Sequence, residues 1–262
     1  MVDTLRPLAV VTGASTGIGF ELAGCCVRDG YDLVIVANEP EIHAAQSKLS
    51  ALGATVEAFE ADLATPEGCE QIYAALKGRP VAALLANAGV GLGKGFLDQE
   101  FEAWSRVVDT NVMGTLYLIQ KIGRDMRARR EGKILITGSI AGFMPGTYQA
   151  VYNGSKAFLD SFSFALRHEI KESGVTVTCL MPGATETEFF ETAGMLDTKI
   201  SAGKKDSPEK VARDGFKAML RGDGDIVSGW HNKLQTMLAN VMPASALAEA
   251  HKKKAAPGSA RQ

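Results

Sequence analysis

Short apolar runs alternate along the 262-residue chain with longer segments in which apolar residues recur every three or four positions. The short runs predict buried β-strands, and the longer segments predict amphipathic helices. Runs such as "LVIV" and "ALLA" are typical of strands covered on both faces by helices in a mostly parallel sheet. The predicted strands span residues 8–12, 32–37, 55–60, 82–87, 133–138, 176–181 and 225–229.

No internal repeat or linker interrupts this alternation, so the sequence predicts one α/β domain over residues 1–262. Residues 183–208 depart from it with mixed glycine, threonine and charged residues. We predict that they form a long mobile loop, because long loops in compact domains often cover a substrate. The tail, residues 243–262, is predicted to fray at its end.

Composition limits the classes of function. The formal net charge is -2, so the sequence offers no basic surface for a nucleic-acid partner. The N-terminus lacks a signal-peptide pattern and no apolar run approaches about 18 residues, which predicts a cytoplasmic protein without a membrane partner. The cysteines, Cys25, Cys26, Cys69 and Cys179, and the four histidines lack ligand spacing, so we predict buried thiols and no metal site.

The segment "VYNGSKAFL" places Tyr152 four positions before Lys156. On a helix, side chains at this spacing share one face. The ordinary pKa of tyrosine, about 10, is too high for efficient proton transfer near neutral pH, and a nearby cation lowers it. The pair therefore predicts a general acid and base, with an ordinary amphipathic helix as the alternative.

A glycine-rich turn, "TGASTGIG", follows the first predicted strand and opens a helix. Glycine permits a tight turn there, and the backbone N–H groups of a helix N-terminus favour a phosphate. The spacing G-x-x-x-G-x-G differs from the common G-x-G-x-x-G pattern, and no Gly-Lys-Ser/Thr follows, which argues against a P-loop. A dinucleotide is the leading ligand, and a turn without a ligand is the alternative.

Together with "ANAG" at 86–89, Asn111, Ser139 and "PG" at 182–183, these motifs resemble the short-chain dehydrogenase/reductase family over residues 6–229. The resemblance implies a doubly wound Rossmann fold with about seven parallel strands. It also implies a nicotinamide cofactor and hydride transfer between that cofactor and a carbonyl or alcohol. A dinucleotide-sensing regulator and a non-redox enzyme on the same scaffold are the alternatives.

By the same resemblance, four residues are expected to be catalytic. Tyr152 would give its proton to the carbonyl oxygen, and Lys156 would lower the pKa of Tyr152 and hold the nicotinamide ribose. Ser139 would hydrogen-bond the substrate oxygen. Asn111 would support a water-linked proton path to Lys156, and its place within a helical pattern is a local cost that hints at function.

The resemblance also implies a cofactor site built from several segments. Asp62 has an alternative role as a helix N-terminal signal. The implied cofactor residues are Gly13, Ser15, Thr16, Gly17, Ile18, Gly19, Asn38, Glu39, Asp62, Leu63, Asn87, Ala88, Gly89, Tyr152, Lys156, Pro182, Gly183, Thr185 and Thr187.

The residues after the second strand bear on the choice of cofactor. A carboxylate there bonds the ribose hydroxyls of NAD, whereas an arginine accepts the 2′-phosphate of NADP. This chain has Ala37, Asn38 and Glu39, and Thr16 adds no cation in the glycine loop. The sequence therefore favours NAD(H), and NADP(H) stays open because Asn38 can hydrogen-bond a phosphate.

The expected substrate is a small hydrophobic ketone, aldehyde or secondary alcohol, because the candidate pocket residues are mostly apolar. The resemblance also suggests a homodimer or homotetramer packed through the helices around residues 100–127 and 151–172. The candidate substrate residues are Ser139, Ile140, Ala141, Phe143, Met144, Gln149, Tyr152, Phe189 and Phe190.

Overall fold

A computed structural model describes residues 6–261; residues 1–5 and 262, the ends of the predicted domain, lie outside the described part. Seven strands form one parallel sheet in the order β3-β2-β1-β4-β5-β6-β7. The strands are β1 (Leu8–Thr12), β2 (Asp32–Ala37), β3 (Val56–Glu60), β4 (Val81–Ala86), β5 (Gly132–Thr137), β6 (Val175–Met181) and β7 (Asp225–Val227).

Helices connect the strands, and within residues 6–261 none is long and apolar enough to cross a membrane. Short 3₁₀ helices occupy Phe96–Asp98, Ile140–Phe143 and Ser259–Arg261, and a π-helix occupies Asp109–Gly114. The α-helices are α1 (Gly17–Arg28), α2 (Glu41–Ser50), α3 (Pro66–Ala75), α4 (Phe101–Val108), α5 (Thr115–Arg129), α6 (Ala150–Glu169), α7 (Phe189–Thr192), α8 (Lys199–Ala202), α9 (Pro208–Arg221), α10 (Trp230–Ala239) and α11 (Ala244–Ala255).

The strand order reverses direction at β1. From β1 the chain proceeds to β2 and β3 on one side, and β4 then pairs with β1 on the other side. In an open parallel sheet, this reversal leaves a crevice at the carboxyl ends of the two central strands. The predicted doubly wound fold is confirmed, and the crevice marks where a ligand would bind.

The sheet is buried on both faces, which explains strands without alternating polar residues. In β2, Leu33 and Ile35 pack into the core under α1, α2 and α9, whereas Val34 and Val36 pack into the core with α3, α5 and α6. All four side chains are almost completely buried. Each central strand therefore contributes to two cores, as its apolar run predicts.

The predicted long loop, residues 183–208, contains the short helices α7 and α8. A parallel bridge between Thr185 and Asp206 closes its base, and Asp206 N donates to Ala184 O at 2.8 Å. Phe190 and Met195 are buried in a small core of their own. These apolar residues are interspersed among the charged ones, and the expected long mobile loop contains two short helices and a buried core. We call residues 183–208 the cover segment.

The C-terminal tail, which we expected to fray at its end, folds back onto the domain over its described residues. Residues 244–255 form α11, and Ala255 is buried against the cover segment. His251 Nδ1 lies 2.9 Å from Thr147 O, and Ala260 N donates to Asp197 O at 2.9 Å. The tail docks because it has backbone and apolar partners, which nearness to a chain end does not disclose.

The four cysteine side chains are buried free thiols, as predicted. Cys26 and Cys179 are completely buried. Burial raises the pKa of the Cys69 thiol to about 11, well above its ordinary value. The four residues therefore pack as small apolar groups.

The close approach of α1 to the preceding turn gives the first prediction. A Cβ on Gly19 would lie 1.9 Å from the carbonyl oxygen of Gly13, a backbone atom that cannot rotate away. We expect Gly19→Ala to lower the free energy of unfolding by about 1–3 kcal/mol, as overpacking does. Urea denaturation measures this change.

Gly24 provides the control on the same helix. A Cβ there would meet only the flexible end of Arg28, at 3.3 Å. Because alanine favours the helix over glycine by up to about 1 kcal/mol, Gly24→Ala should be neutral or stabilising. Equal losses of stability in the two variants would contradict the packing at Gly19.

Candidate active site

A cavity of about 1080 Å³ opens at the carboxyl ends of the central strands. It extends from the glycine loop, past β4, β5 and β6, to helices α10 and α11. Sixteen of the predicted site residues line it: Ile18, Asn87, Gly89, Ser139, Ile140, Ala141, Met144, Gln149, Tyr152, Lys156, Pro182, Gly183, Thr185, Thr187, Phe189 and Phe190.

Helix α6 carries Tyr152 and Lys156 on the face that meets this cavity. The Lys156 ammonium donates to Thr137 O at 2.8 Å, which fixes it at the end of β5. Its Nζ lies 6.0 Å from the centroid of the Tyr152 ring. The helical spacing thus brings both heads to one region where a single bound molecule can meet them.

The pKa of the Tyr152 phenol is raised, contrary to the expectation that Lys156 lowers it. Burial raises the pKa of Tyr152 to about 12, and a hydrogen bond with Ser139 opposes the rise. The ring of Phe189 covers it, with centroids 5.0 Å apart. Burial has the larger effect because this apolar environment disfavours the phenolate. The phenol is therefore protonated at neutral pH and is a potential proton donor.

Lys156 is 4% exposed, and burial lowers its pKa to about 8 although the attraction of Asp160 opposes this. The absence of a side chain at Gly89 makes room for it. A Cβ on Gly89 would lie 3.4 Å from Lys156 Nζ and 3.3 Å from Asn111 Oδ1. Gly89 therefore allows the amine and the amide to approach the same point.

Asn111 lies in the π-helix between α4 and α5, and is completely buried. Its Oδ1 accepts from Val90 N at 2.8 Å, and its Nδ2 donates to Val90 O and to Ser155 Oγ, both at 3.0 Å. Ser155 in turn donates to Tyr152 O at 2.7 Å. Asn111, which is unfavourable within an α-helix, thus lies in a π-helix, a form often found at functional sites.

Ser139 has a structural role besides its contact with Tyr152. Its Oγ accepts from Ala141 N at 3.1 Å, which begins the 3₁₀ helix, and donates to Pro182 O at 3.3 Å. The serine therefore joins the end of β5 to the segment after β6. This fixes the hydroxyl at the wall of the cavity.

Asp160 is a site residue that the sequence analysis missed. It follows Lys156 by four positions on α6 and is 6% exposed. Its Oδ1 accepts from Ser139 N at 3.2 Å. A Cβ on Gly138 would lie 1.8 Å from Oδ1, and one on Gly142 would lie 2.3 Å from Oδ2. The helical spacing from Lys156 was the available signal, since an aspartate there falls on the buried face.

Burial raises the pKa of Asp160 to about 6, and the Ser139 amide and Lys156 oppose that rise. The carboxyl group thus lies behind the catalytic candidates rather than among them, because it does not line the cavity. It holds the backbone at Ser139 and places a titratable group beside Lys156. Asp160 is therefore a positioning residue for both side chains.

The glycine loop has the shape of a cradle for a dinucleotide. Gly13 and Gly17 have φ values of 63° and 56°, in the left-handed region that favours glycine. A Cβ on Gly13 would lie 2.9 Å from Ala88 Cα, and one on Gly17 would lie 2.9 Å from Thr187 Cγ2. The loop, β4 and the segment after β6 therefore converge, and side chains in the loop would fill the space between them.

Asn87 binds the strand ends together as well as lining the cavity. Its Nδ2 donates to Thr12 O at 3.1 Å, and its Oδ1 accepts from Thr137 Oγ1 at 3.1 Å. The Thr12 hydroxyl is bonded by Asn87 N and Ala88 N, both at 2.9 Å. The sequence analysis missed both threonines, whose only signal was their place at the ends of predicted strands.

The residues expected near the adenosine lie outside the main cavity. Ser15 donates a hydrogen bond to Glu39, which brings a carboxylate to the glycine loop. Asn38 and Thr16 are exposed. Asp62 pairs with Arg106 at 3.0 Å and accepts from Ala64 N at 3.0 Å, whereas Thr65 caps α3. Leu63 packs into the core.

Phe143 is the predicted substrate residue that the structure places elsewhere. It lines a separate cavity of about 560 Å³ between the 3₁₀ helix and α6, with Pro145 and Ala157. The 3₁₀ helix turns the chain after Ile140 and Ala141, so Phe143 faces the second cavity, whereas Met144 lines both. Phe143 therefore lies outside the lining of the catalytic cavity, unlike the other predicted substrate residues.

Known proteins that are similar to this chain in sequence or in structure are dehydrogenases and oxidoreductases. The family model for short chain dehydrogenases matches residues 7–195. An uncharacterized oxidoreductase of Myxococcus xanthus is 31% identical over 93% of this chain and 95% of its own length. The structure of a short-chain dehydrogenase from Sphingobium yanoikuyae in complex with NADPH is 26% identical, has a TM-score of 0.80 and covers 90% of this chain and 96% of that one.

A further solved structure, a short chain dehydrogenase/reductase from Burkholderia phymatum in complex with NAD, also has a TM-score of 0.80. It is 23% identical and covers 91% of this chain and 94% of that one. At this identity the likeness concerns the fold.

The buried carboxyl group of Asp160 generates a prediction about pH. Its pKa rises from 3.8 to about 6 on folding, so the unfolded chain loses this proton first as the pH rises. The free energy of unfolding contributed by Asp160 therefore falls between about pH 4 and pH 6. Relative to Asp160→Asn, the wild type should lose about 2–3 kcal/mol between about pH 4 and pH 7, measured by urea denaturation.

The matched control is Asp225→Asn, at an exposed position on the edge strand β7. It removes a carboxyl group that faces solvent, and so shows the effect of losing one exposed carboxyl group over the same range. A constant difference for Asp160→Asn would contradict the raised pKa of the buried carboxyl group.

Proposed function

The chain belongs to the short-chain dehydrogenase/reductase family as an NAD(P)-dependent enzyme, and from that premise we propose that it transfers a hydride between the nicotinamide and a carbonyl or secondary alcohol beside Tyr152. One observation carries the proposal. Tyr152, Ser139 and Lys156 line one cavity that also includes Ile18 of the glycine loop. A hydride donor and a proton donor can therefore meet the same substrate.

The cofactor, when bound, supplies or accepts the hydride. In reduction, the Tyr152 phenol would donate its proton to the carbonyl oxygen. The Ser139 hydroxyl would turn its proton from Pro182 O towards that oxygen and hold it by a hydrogen bond. A pKa of about 12 keeps the phenol protonated at neutral pH, which suits reduction. In oxidation the same phenolic oxygen would have to lose its proton first, so a rising pH would favour that direction.

Lys156 and Asn111 support this proton transfer from behind. Lys156, buried and fixed by Thr137 O, lies on the same helical face as the phenol and would bind the nicotinamide ribose. Asn111 fixes Ser155 and the backbone of Val90 next to Gly89, and would orient water towards Lys156. The rigid set of hydrogen bonds provides the preorganisation that catalysis requires.

We propose that NAD(H) is preferred over NADP(H). The Glu39 carboxylate is hydrogen-bonded to Ser15 of the glycine loop, where the adenosine ribose would lie. A carboxylate there accepts from ribose hydroxyls and repels a 2′-phosphate. Because solved relatives of this fold hold NADPH in one case and NAD in another, the preference rests on this residue and not on the fold.

We further propose that the chain acts as a single domain in a cytoplasmic homodimer or homotetramer. Buried free thiols suit a reducing compartment. Large apolar side chains are exposed on the helices expected at the interface: Phe101 is 63% exposed, Phe158 45% and Phe164 39%. A contact between copies would cover this apolar surface.

Removing only the proton donor tests the mechanism. We expect Tyr152→Phe to lower kcat by at least about 100-fold, as the loss of general acid catalysis does, and to leave the dissociation constant of NADH within about threefold. Steady-state turnover of a methyl ketone and NADH fluorescence titration measure the two quantities.

Tyr117→Phe is the control for this change. Tyr117 donates its hydroxyl proton to Glu70 on the outer surface, and it does not line the catalytic cavity. Its turnover should equal that of the wild type. Unchanged turnover in Tyr152→Phe would exclude it as the acid.

Replacing one carboxylate tests the cofactor preference. We expect NADH to bind about tenfold more tightly than NADPH, and Glu39→Gln to tighten NADPH binding about fivefold by removing the repulsion. The control is Glu41→Gln, an exposed residue in the first turn of α2. Tighter binding of NADPH than NADH by the wild type would refute the role of Glu39.

A further inference from the structure

The catalytic cavity continues well beyond Tyr152. Its volume of about 1080 Å³ lies at the top of the range of about 300–1,000 Å³ that is typical for ligand sites. Ile18, Asn87 and Gly89 line the end where the nicotinamide would lie. The opposite end lies between the cover segment and helices α10 and α11. We call this opposite end the distal arm.

Apolar side chains line the distal arm, and three of them remain largely exposed. They are Phe190, Ile200, Leu234, Leu238, Met242 and Leu247. Leu234 is 51% exposed, Leu238 50% and Met242 42%. Apolar surface left in contact with water costs free energy, and a ligand that fills the arm would remove that cost. The arm therefore fits an aliphatic chain.

Besides Lys156 and Lys210, four lysines line this cavity: Lys199, Lys204, Lys205 and Lys254, which we call the distal lysines. Among the ion pairs formed by residues 6–261, none includes them. Lys205 Nζ lies 5.0 Å from the centroid of the Phe190 ring, at the wall of the distal arm. The positive charge therefore borders the apolar surface directly.

Carboxylates in the cavity lining do not neutralise the distal lysines. Among the described residues that line it, Asp206 is the only carboxylate. Asp206 is already engaged, since it pairs with Lys210 at 3.6 Å and accepts from Asn232 Nδ2 at 2.9 Å. A bound anion would complete the charge balance, since Lys205 is half-buried beside Phe190 and the other three lysines add positive charge at the surface.

We propose that the substrate is an amphiphilic anion: an aliphatic ketone or secondary alcohol whose chain lies in the distal arm and whose terminal carboxylate or phosphate meets the distal lysines. This inference rests on the proposed function, because it places the reacting carbon beside Tyr152. It goes beyond that function by naming two features of the substrate, chain length and terminal charge.

The substrate test is a series of methyl ketones with increasing numbers of methylenes, each ending in a methyl, hydroxyl, carboxylate or phosphate group. We expect kcat/KM to rise about threefold per methylene until the arm is filled, because each methylene leaves water. We expect carboxylate or phosphate ends to exceed hydroxyl ends by about tenfold. The difference between carboxylate and phosphate identifies the anion.

Two pairs of neighbouring residues give matched variants. Leu238 lines the arm, whereas Met237, next to it on α10, does not. The ratio of kcat/KM for long and short ketones should fall about tenfold in Leu238→Gln and stay constant in Met237→Gln.

The second pair tests the terminal charge. Lys254→Gln should reduce the ratio of kcat/KM for anionic and hydroxyl-ended ketones about threefold or more, and Lys253→Gln should not.

Direct binding separates this inference from the proposed function. Dodecyl phosphate carries no carbonyl group, so calorimetric titration of the wild type and Lys254→Gln measures the arm without turnover. If Lys254→Gln binds dodecyl phosphate more weakly than the wild type and no ketone is turned over, the distal arm is supported as a binding site and the proposed reaction is refuted. Turnover of short ketones with no dependence on chain length or charge would overturn the arm and leave the reaction intact.

Discussion

The burial of Lys156 is the constraint on which the rest of the site depends. An amine inside a protein must have partners, because burial disfavours its charged form. Here the carbonyl oxygen of Thr137 accepts from it at the end of β5, and Asp160 attracts it from the next turn of α6. The helix therefore cannot slide or rotate against the sheet without leaving a buried polar group unsatisfied. This fixes Tyr152, one turn earlier, at the edge of the cavity.

Three glycines make that arrangement possible. Gly89 leaves room for Lys156 and Asn111, and Gly138 and Gly142 leave room for the carboxyl group of Asp160. At Gly138 and Gly142 a Cβ would overlap the carboxyl group of Asp160, and at Gly89 it would press against Lys156 and Asn111. The polar network thus requires the absence of side chains at these three positions as much as the presence of charged ones on α6.

This dependence explains what the sequence could and could not predict. Strand positions followed from apolar runs, since burial on both faces of a sheet is a local pattern. The placement of Tyr152 and Lys156 on one face followed from helical spacing. By contrast, Asp160 and Thr12 act through contacts with backbone atoms far along the chain, and Ser155 acts through the side chain of Asn111. Helical spacing and a place at a strand end are signals too weak to predict these contacts. Neither the docking of the tail nor the position of Phe143 at the second cavity could be predicted, because both depend on contacts that a local pattern does not show.

The two halves of the cavity come from different parts of the chain, and this difference bears on substrate specificity. The catalytic candidates all lie within the family match, residues 7–195. Most of the distal arm lies beyond it, on α10 and α11, with Leu238, Leu247 and Lys254 as examples. Under the proposed function, a shared core would keep hydride and proton transfer constant, while α10 and α11 would select which molecule reaches Tyr152. The docked tail would then be a part of the proposed substrate site and not an appendage to the fold.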